Sequence, residues 1–186
     1  MFMTTQKQTR VAVLLGSYRA GSLNRRIAEH LREHAPAGVT VDVVEGIDAV
    51  PFYNEEIDGE SAPAAATALR DSVAQADRVL AVTPEYNGTM PAVLNNAIDW
   101  LSRPSGQGAI VGKPFAAIGA TPTPYGGKWS HEHARHSATI AGAVVVEGIV
   151  VDEPALEGDP LANEEAVQRF LGALDALVAH EVEVAA

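Results

Sequence analysis

Short apolar runs recur along this chain at intervals that suit an alternating fold. They cover residues 10–15, 39–44, 78–83, 114–119 and 143–146. Unbroken apolar runs of this length are typical of parallel strands that are buried on both faces of a sheet. The pattern therefore predicts five parallel strands.

The segments between these runs carry apolar residues at helical spacing. Leu23, Ile27 and Leu31, for example, share one helical face. The same spacing recurs over residues 63–76 and 91–102, from about residue 128, and over residues 167–178. Strands that alternate with helices predict an α/β fold, here a flavodoxin-like, three-layer, doubly wound sheet with strand order 2-1-3-4-5. In that order the loops after the first, third and fourth strands meet at one edge, where such folds bind ligands.

The loop after the first strand, Gly16 to Ser22, has the features of an anion site. Ser22 is the expected N-cap of the next helix, and Arg19, Arg25 and Arg26 lie in or just before its first turn. Cations oppose the helix dipole there, so they suit a bound anion on the free amides. The dinucleotide fingerprint G-x-G-x-x-G is absent, and the lysine of a triphosphate-binding P-loop is missing. The loop predicts a monophosphate site, with an ordinary capped turn as the alternative.

Two more loops follow the third and fourth strands. One contains the turn dipeptide Asn87-Gly88. The other contains Thr121 and the pair Gly126-Gly127, and glycines allow backbone to approach a flat ligand closely. We therefore expect all three loops to contact one ligand.

Composition narrows the class of protein. The chain has 186 residues, 47% of them hydrophobic, which predicts one domain over residues 1–186, with residues 1–9 as a disordered tail. A net charge of −11 argues against a nucleic-acid or membrane partner. No segment has the pattern of a membrane span or signal peptide, so we expect a cytoplasmic protein.

Candidates for a catalytic side chain are few. The absence of cysteine excludes thiolate nucleophiles and cysteine-ligated metals. His131, His133 and His136 do not fit the H-E-x-x-H zinc frame, so we predict no metal site and place them on a solvated or interface face. Glu85 and Asp99 are not spaced as an acid/base pair, and no G-x-S-x-G elbow occurs. The chemistry is expected to belong to a bound cofactor.

Two long motifs lie at the ends of the first and third strands. They are G-S-x-R-x-x-S-x-N at Gly16 to Asn24 and P-E-Y-N-x-x-x-P-x-x-L-x-N-A-I-D-W at Pro84 to Trp100. Together they resemble the NADPH-dependent FMN reductase family, and within it the bacterial quinone, chromate and azo-dye reductases. The resemblance implies tightly but non-covalently bound FMN, with NADPH or NADH as co-substrate. It also implies ping-pong reduction of a small quinone, azo, metal-oxyanion or flavin acceptor.

The resemblance further implies which residues hold the flavin. The phosphate would be held around Ser17, Arg19, Ser22, Leu23 and Asn24. The ring and ribityl chain would follow Pro84, Glu85, Tyr86, Asn87 and Gly88, and the other side would be closed by Thr121, Gly126 and Gly127. No side chain would be catalytic, since the reaction takes place at the flavin N5.

The chain departs from the family pattern at two places. Asn95 stands where lysine is usual, and Lys128-Trp129 replaces a small residue and an arginine. The resemblance also suggests a homodimer or homotetramer. We expect Asn96 and Trp100 to lie off the buried side of their helix, so that exposed aromatics flank the flavin.

Other functions share this fold, namely a flavodoxin-type electron carrier and a flavin-binding regulatory module. A carrier shields its flavin between aromatic residues, whereas the loops here are built mainly from small residues, with Tyr86 and Tyr125 as their aromatics. An open ring face lets nicotinamide and then an acceptor stack on the flavin. This favours a reductase.

Overall fold

The strands form one parallel sheet that lies between two layers of helices. The computed structural model describes residues 8–181. The strands are β1 (Thr9–Leu15), β2 (Val39–Val43), β3 (Arg78–Val82), β4 (Pro114–Thr121), β5 (Val144–Val145) and β6 (Val151–Pro154). The helices are α1 (Leu23–Glu33), α2 (Ala64–Ala74), α3 (Ala92–Leu101), α4 (Lys128–Ile140) and α5 (Glu164–Ala179).

The strand order β2-β1-β3-β4-β5, with parallel pairing throughout, confirms the predicted sheet. The fifth position differs from the prediction because two strands share it. β5 pairs with the start of β4, and β6 pairs with its end at Ile118 to Thr121. A turn before Ile149, whose amide donates to the Val146 carbonyl, separates the two strands. The apolar pattern does not reveal β6, because acidic residues and proline disfavour strands.

The sheet is buried because side chains of each central strand alternate between the two helical layers. From β1, Val11, Val13 and Leu15 join the core under α1 and α5. Ala12 and Leu14 join the core under α2, α3 and α4. In the described part of the chain, no helix has the length and apolar character needed to cross a bilayer.

The first strand begins earlier than the predicted tail allows. Thr9 already belongs to β1, and the Gln8 side chain donates to Thr40 Oγ1. The rest of the predicted tail, residues 1–7, lies outside the described residues.

Helix α3 is buried on more sides than its apolar spacing predicts. Asn96 is 6% exposed and Trp100 is 0% exposed, so the expectation that they lie off the buried side is wrong. The segment 50–53, between β2 and α2, covers this side of the helix. Trp100 Nε1 donates to the Pro51 carbonyl at 2.8 Å, and Asn96 Nδ2 donates to the same oxygen at 3.0 Å.

Candidate functional site

The turn between β1 and α1 presents free hydrogen-bond donors. The backbone amides of residues 17–21, and those of Leu23 and Asn24, donate to no other group in the described part of the chain. Ser22 caps α1 as predicted, since its hydroxyl accepts a hydrogen bond from the Arg25 amide at 3.2 Å. Arg19 is exposed and forms no ion pair with any residue between 8 and 181. Free amides and an uncompensated cation at a helix N-terminus suit an anion.

The other two arginines near this turn are engaged elsewhere. Arg25 makes a two-pronged contact with Glu45, at 2.8 Å and 3.1 Å. Hydrogen bonding to this guanidinium holds the pKa of the Glu45 carboxyl below its usual value. Arg26 pairs with Asp159. The expectation that Arg25 and Arg26 face a bound anion is therefore wrong, and Arg19 remains as the available guanidinium of the three.

Most of the predicted site residues line one cavity of about 300 Å³ at the carboxyl edge of the sheet. Its lining residues are Ser17, Arg19, Ser22, Leu23, Asn24, Pro84, Glu85, Tyr86, Ala120, Thr121, Pro122 and Thr123. The loops after β1, β3 and β4 thus meet as the sheet order requires. No role was predicted for Ala120, Pro122 and Thr123, although their place directly after the predicted strand 114–119 was a usable signal.

Asn24 lines this cavity, but its side chain is already bonded. Asn24 Nδ2 donates to the Ala120 carbonyl, and its Oδ1 accepts from the Ala120 amide, both at 2.9 Å. The side chain therefore ties α1 to the end of β4, and its backbone amide is the group left to bind an anion.

Glu85 is also tied into the scaffold. Its amide donates to Thr121 Oγ1 at 3.1 Å, which joins the loops after β3 and β4. Its Oε2 accepts from the amides of Trp129 and Ser130, at 3.0 Å and 3.3 Å. A carboxylate in this position caps α4 and is favoured by the helix dipole.

The glycine pair packs against protein. Gly126 and Gly127 are buried and have φ of 63° and 98°. A Cβ atom on Gly126 would lie 2.3 Å from the Asp152 carbonyl carbon, and one on Gly127 would lie 3.0 Å from His131 Cε1. Gly126 therefore lets the start of α4 approach β6, and Gly127 leaves room for the His131 ring. Both are different close approaches from the expected one to a flat ligand.

Beneath the same loops lies His131, which is fully buried. Its Nδ1 is 2.6 Å from Asp152 Oδ1, and its Nε2 is 3.1 Å from the Thr83 carbonyl oxygen. The expected solvated or interface position is wrong for His131, whereas His133 and His136 are exposed. Asp152 belongs to β6, so no pattern in the sequence near His131 predicts the contact between these two side chains.

Asn87 and Gly88 form the tip of a tight turn. Tyr86 and Thr89 exchange backbone hydrogen bonds of 3.0 Å and 3.1 Å across it. The φ values of Asn87 and Gly88 are 53° and 70°, as a type I′ turn requires. Asn87 lines a neighbouring hollow with Thr89 and Met90, while Gly88 is exposed at the tip. The turn leaves the Tyr86 side chain 50% exposed beside the site.

A second cavity of about 510 Å³ adjoins the first and shares Ser17 and Tyr86 with it. Its remaining walls are mainly apolar and include Ile47, Val50, Pro51, Phe52 and Val93. Ile47, Val50, Pro51 and Phe52 were not predicted as site residues, although they follow the second strand, whose carboxyl end lies at this edge. Tyr18 and Asp48 add polar groups, and burial is the main cause that raises the pKa of Tyr18.

The first cavity fits a phosphate ester with a polar chain. Thr123 Oγ1 is buried and has no hydrogen-bond partner within residues 8–181. A buried hydroxyl without a hydrogen-bond partner destabilises the protein, and a hydrogen bond from this hydroxyl to a ligand oxygen would remove that cost. Together with the free amides and Arg19, this hydroxyl gives the residues that would hold the phosphate and chain of FMN.

Comparison with known proteins decides the family. The sequence model for NADPH-dependent FMN reductases matches residues 9–155. The chain belongs to the NADPH-dependent FMN reductase family. Family membership confirms the predicted enzyme class, an oxidoreductase with FMN as cofactor and a reduced nicotinamide as co-substrate.

Named relatives of this FMN reductase agree with that assignment. A quinone reductase of Pseudomonas putida is 44% identical over 127 residues, 68% of each chain. A 2-hydroxy-1,4-benzoquinone reductase of Burkholderia sp. is 41% identical over 166 residues, 87% of this chain and 90% of the relative. Among solved structures, the flavoenzyme FerB of Paracoccus denitrificans, an NAD(P)H:(acceptor) oxidoreductase, superposes with a TM-score of 0.80. It is 30% identical, over 91% of this chain and 95% of FerB.

Proposed function

We propose that this FMN reductase is an NAD(P)H:quinone reductase that works by a ping-pong mechanism. NAD(P)H gives up a hydride, which carries two electrons and one proton, and leaves as NAD(P)⁺. The quinone takes up both electrons and two protons, the second from solvent, and leaves as the hydroquinone. Bound FMN supplies the carrier that accepts the hydride and passes the electrons on.

The observation that carries this proposal is the junction of two unlike cavities. The polar cavity offers the Arg19 guanidinium and free amides, whereas the larger one beside it is walled by apolar side chains such as Val50 and Phe52. They share Ser17 and Tyr86, so a flavin anchored in the first would lie next to space for a flat apolar molecule. Nicotinamide and acceptor would use that space in turn, which is the basis for a ping-pong scheme.

The protein's own residues would position the reactants rather than transfer protons. Arg19 and the amides of the β1–α1 turn would hold the phosphate. Glu85 and Thr121 brace the loop after β3, so the backbone under the ring would be fixed before it binds. A braced site avoids the cost of ordering these loops at each turnover.

The wall composition favours a neutral quinone over a metal oxyanion. Asp48 lines the larger cavity, and the net charge of the chain is −11. Both disfavour entry of an anion such as chromate. Azo dyes and free flavin are flat and aromatic as well, so they are the acceptors against which a quinone should be compared.

A flavodoxin-type carrier is the second candidate function, and anaerobic mixing separates the two. FMN-loaded protein mixed with NADPH or NADH should lose its flavin absorbance rapidly, and a quinone added afterwards should restore it. Double-reciprocal plots at several quinone concentrations should give parallel lines. If neither nucleotide reduces the flavin while a ferredoxin reductase does, the carrier function is correct.

We also propose that the reductase is a homodimer or homotetramer. Trp129, His133, His136 and Ile140 are all exposed and recur along one side of α4. Trp129 and Ile140 are 38% and 77% exposed. An exposed stripe with apolar residues at its ends suits packing against a second copy of the chain.

A further inference from the structure

Phe52 lies at the mouth of the 510 Å³ cavity. Side chains of α3 bind the backbone of the segment that carries it. The Phe52 side chain lines the cavity and is 78% exposed. The Tyr86 side chain lines the same cavity from the loop after β3. Two exposed aromatic rings at one opening suit a flat aromatic guest.

Asn96 binds the backbone on both sides of Phe52. Its Nδ2 donates to the Val50 and Pro51 carbonyls, at 3.2 Å and 3.0 Å, and its Oδ1 accepts from the Tyr53 amide at 2.8 Å. Asn96 is 6% exposed, so these bonds are shielded from solvent. A shielded side chain with three backbone partners fixes the path of the chain around residue 52.

Trp100 adds a second anchor one helical turn further along α3. Its Nε1 donates to the Pro51 carbonyl at 2.8 Å, and its ring meets the Tyr53 ring edge-on, with centroids 5.0 Å apart. Trp100 is fully buried and does not line the cavity. Any effect of Trp100 on a guest in the cavity is therefore indirect, and Pro51, which accepts from Trp100 and lines the cavity, links the two.

We propose that Phe52 is the residue that selects two-ring over one-ring quinones, and that Asn96 and Trp100 are the positioning residues that hold it there. This inference rests on the proposed quinone reductase function. A one-ring quinone can lie within the inner part of the cavity. A second fused ring extends toward the mouth, where Phe52 supplies apolar contact area.

Substitutions at residues 52 and 100 test this with FMN-loaded protein, 1,4-naphthoquinone and 1,4-benzoquinone. Trp100→Phe keeps a buried ring but removes the donor to Pro51. Loss of that bond loosens the segment that carries Phe52, so quinone binding must order it, and naphthoquinone binding should weaken about three- to tenfold. Phe52→Leu removes only ring area at an exposed position, so it should fold normally and show a similar loss. Trp100→Phe, which changes no residue of the cavity wall, should leave FMN affinity and kcat with saturating quinone within about twofold. In both variants the loss of naphthoquinone affinity should exceed the loss of benzoquinone affinity.

Equilibrium binding of each quinone, measured by flavin fluorescence, accompanies the steady-state KM and kcat. Phe170→Leu is the matched control, because Phe170 is an equally buried aromatic in the core on the other side of the sheet. Its quinone preference should equal that of the wild type even though it is less stable. The inference would be overturned if Phe52→Leu left the ratio of the naphthoquinone and benzoquinone dissociation constants unchanged. It would also be overturned if Phe170→Leu changed that ratio as much as Phe52→Leu does. A wild type that binds both quinones but reduces neither would refute the proposed function alone, because the binding ratios still test the roles of Phe52 and Trp100.

Discussion

Arg19 is the side chain on which FMN affinity should depend most strongly. It is exposed at the β1–α1 turn and pairs with no carboxylate within residues 8–181. Arg19→Ala removes charge-assisted hydrogen bonds to a phosphate, so FMN binding should weaken roughly ten- to a hundredfold. Titration of apoprotein with FMN, followed by flavin fluorescence, measures the dissociation constant.

Arg26→Ala is the control for that measurement. Arg26 lies on the same helix start but pairs with Asp159. Its substitution should change the dissociation constant by less than about threefold, as expected for a distant exposed charge. If Arg19→Ala and wild type bind FMN equally well, the phosphate lies elsewhere.

His131 should contribute to stability rather than to catalysis. Its ring is fully buried, and its two nitrogens have oxygen partners at Asp152 in β6 and at Thr83, directly after β3. His131→Ala would leave a cavity and strip partners from Asp152 and Thr83, so the free energy of unfolding should fall by about 2 to 4 kcal/mol. Urea denaturation of the apoprotein measures this.

His133→Ala serves for comparison, because His133 is exposed and its hydrogen-bond partner within residues 8–181 is the Thr89 hydroxyl. It should change the unfolding free energy by less than about 0.5 kcal/mol. Equal stability losses in the two variants would show that the buried contacts of His131 contribute nothing specific.

At the residue scale, the hydrogen-bond donors of the candidate site can be predicted from the sequence, but the partners of those donors within the protein cannot. The anion turn follows from local chemistry, and its cap Ser22 is confirmed. Arg26 was misassigned because Asp159 is 133 positions away in the chain. Asn24 and Glu85 likewise line the candidate cavity, but their side chains bond to β4 and α4. Such long-range pairs are set by tertiary packing and leave no local pattern.

An ion pair joins Asp58, in the segment after β2, to Arg70 of helix α2. This ion pair, the Asp58–Arg70 tether, should make the free energy of unfolding depend on pH in the acid range. Arg70 forms a two-pronged contact with Asp58, at 2.7 Å and 2.9 Å, and hydrogen bonding to it lowers the pKa of Asp58 to about 2. A carboxyl whose pKa is depressed by folding stabilises the fold fully above its unfolded pKa of about 4, and this contribution is lost as pH falls toward about 2.

Asp58→Asn tests this tether. The variant should unfold more easily than wild type near neutral pH, and the difference should be constant down to about pH 5. Below about pH 4 the two unfolding free energies should converge, because Asp58 of the unfolded wild type then binds a proton, which favours unfolding. Chemical denaturation at a series of pH values measures the difference. A gap that stays constant down to about pH 2 would mean that the Arg70 contact does not perturb Asp58.

At the scale of elements, the helices and central strands followed from apolar spacing, whereas one sheet position and one helix face did not. The fifth position is shared by β5 and β6. Three of the four residues of β6, namely Asp152, Glu153 and Pro154, have low strand propensity, and the strand pairs with the end of β4. Helix α3 is covered by segment 50–53, so polar Asn96 and large Trp100 are buried. Spacing indicates which side of a helix meets the sheet, but not which loop covers another side.

For the whole molecule, the exposed stripe on α4 predicts self-association. Light scattering at micromolar concentration should give a mass at least twice that of the 19.5 kDa chain. Ile140→Asp places a charge at a residue that is 77% exposed, so it should lower the mass without reducing the stability of the single chain. Ile140→Val is the matched control and should retain the assembly. A wild type of monomeric mass would refute the proposed oligomer.

The anchors of the segment 50–53 have a consequence for evolution. Asn96 and Trp100 bind the peptide groups of residues 50, 51 and 53, and none of these bonds uses the side chain of residue 52. Mutation can therefore exchange residue 52 freely while the scaffold keeps its shape. Proteins that share this framework can therefore change their preferred electron acceptor through substitution of a single codon. A laboratory library confined to position 52 should yield altered acceptor preferences with little loss of folded protein.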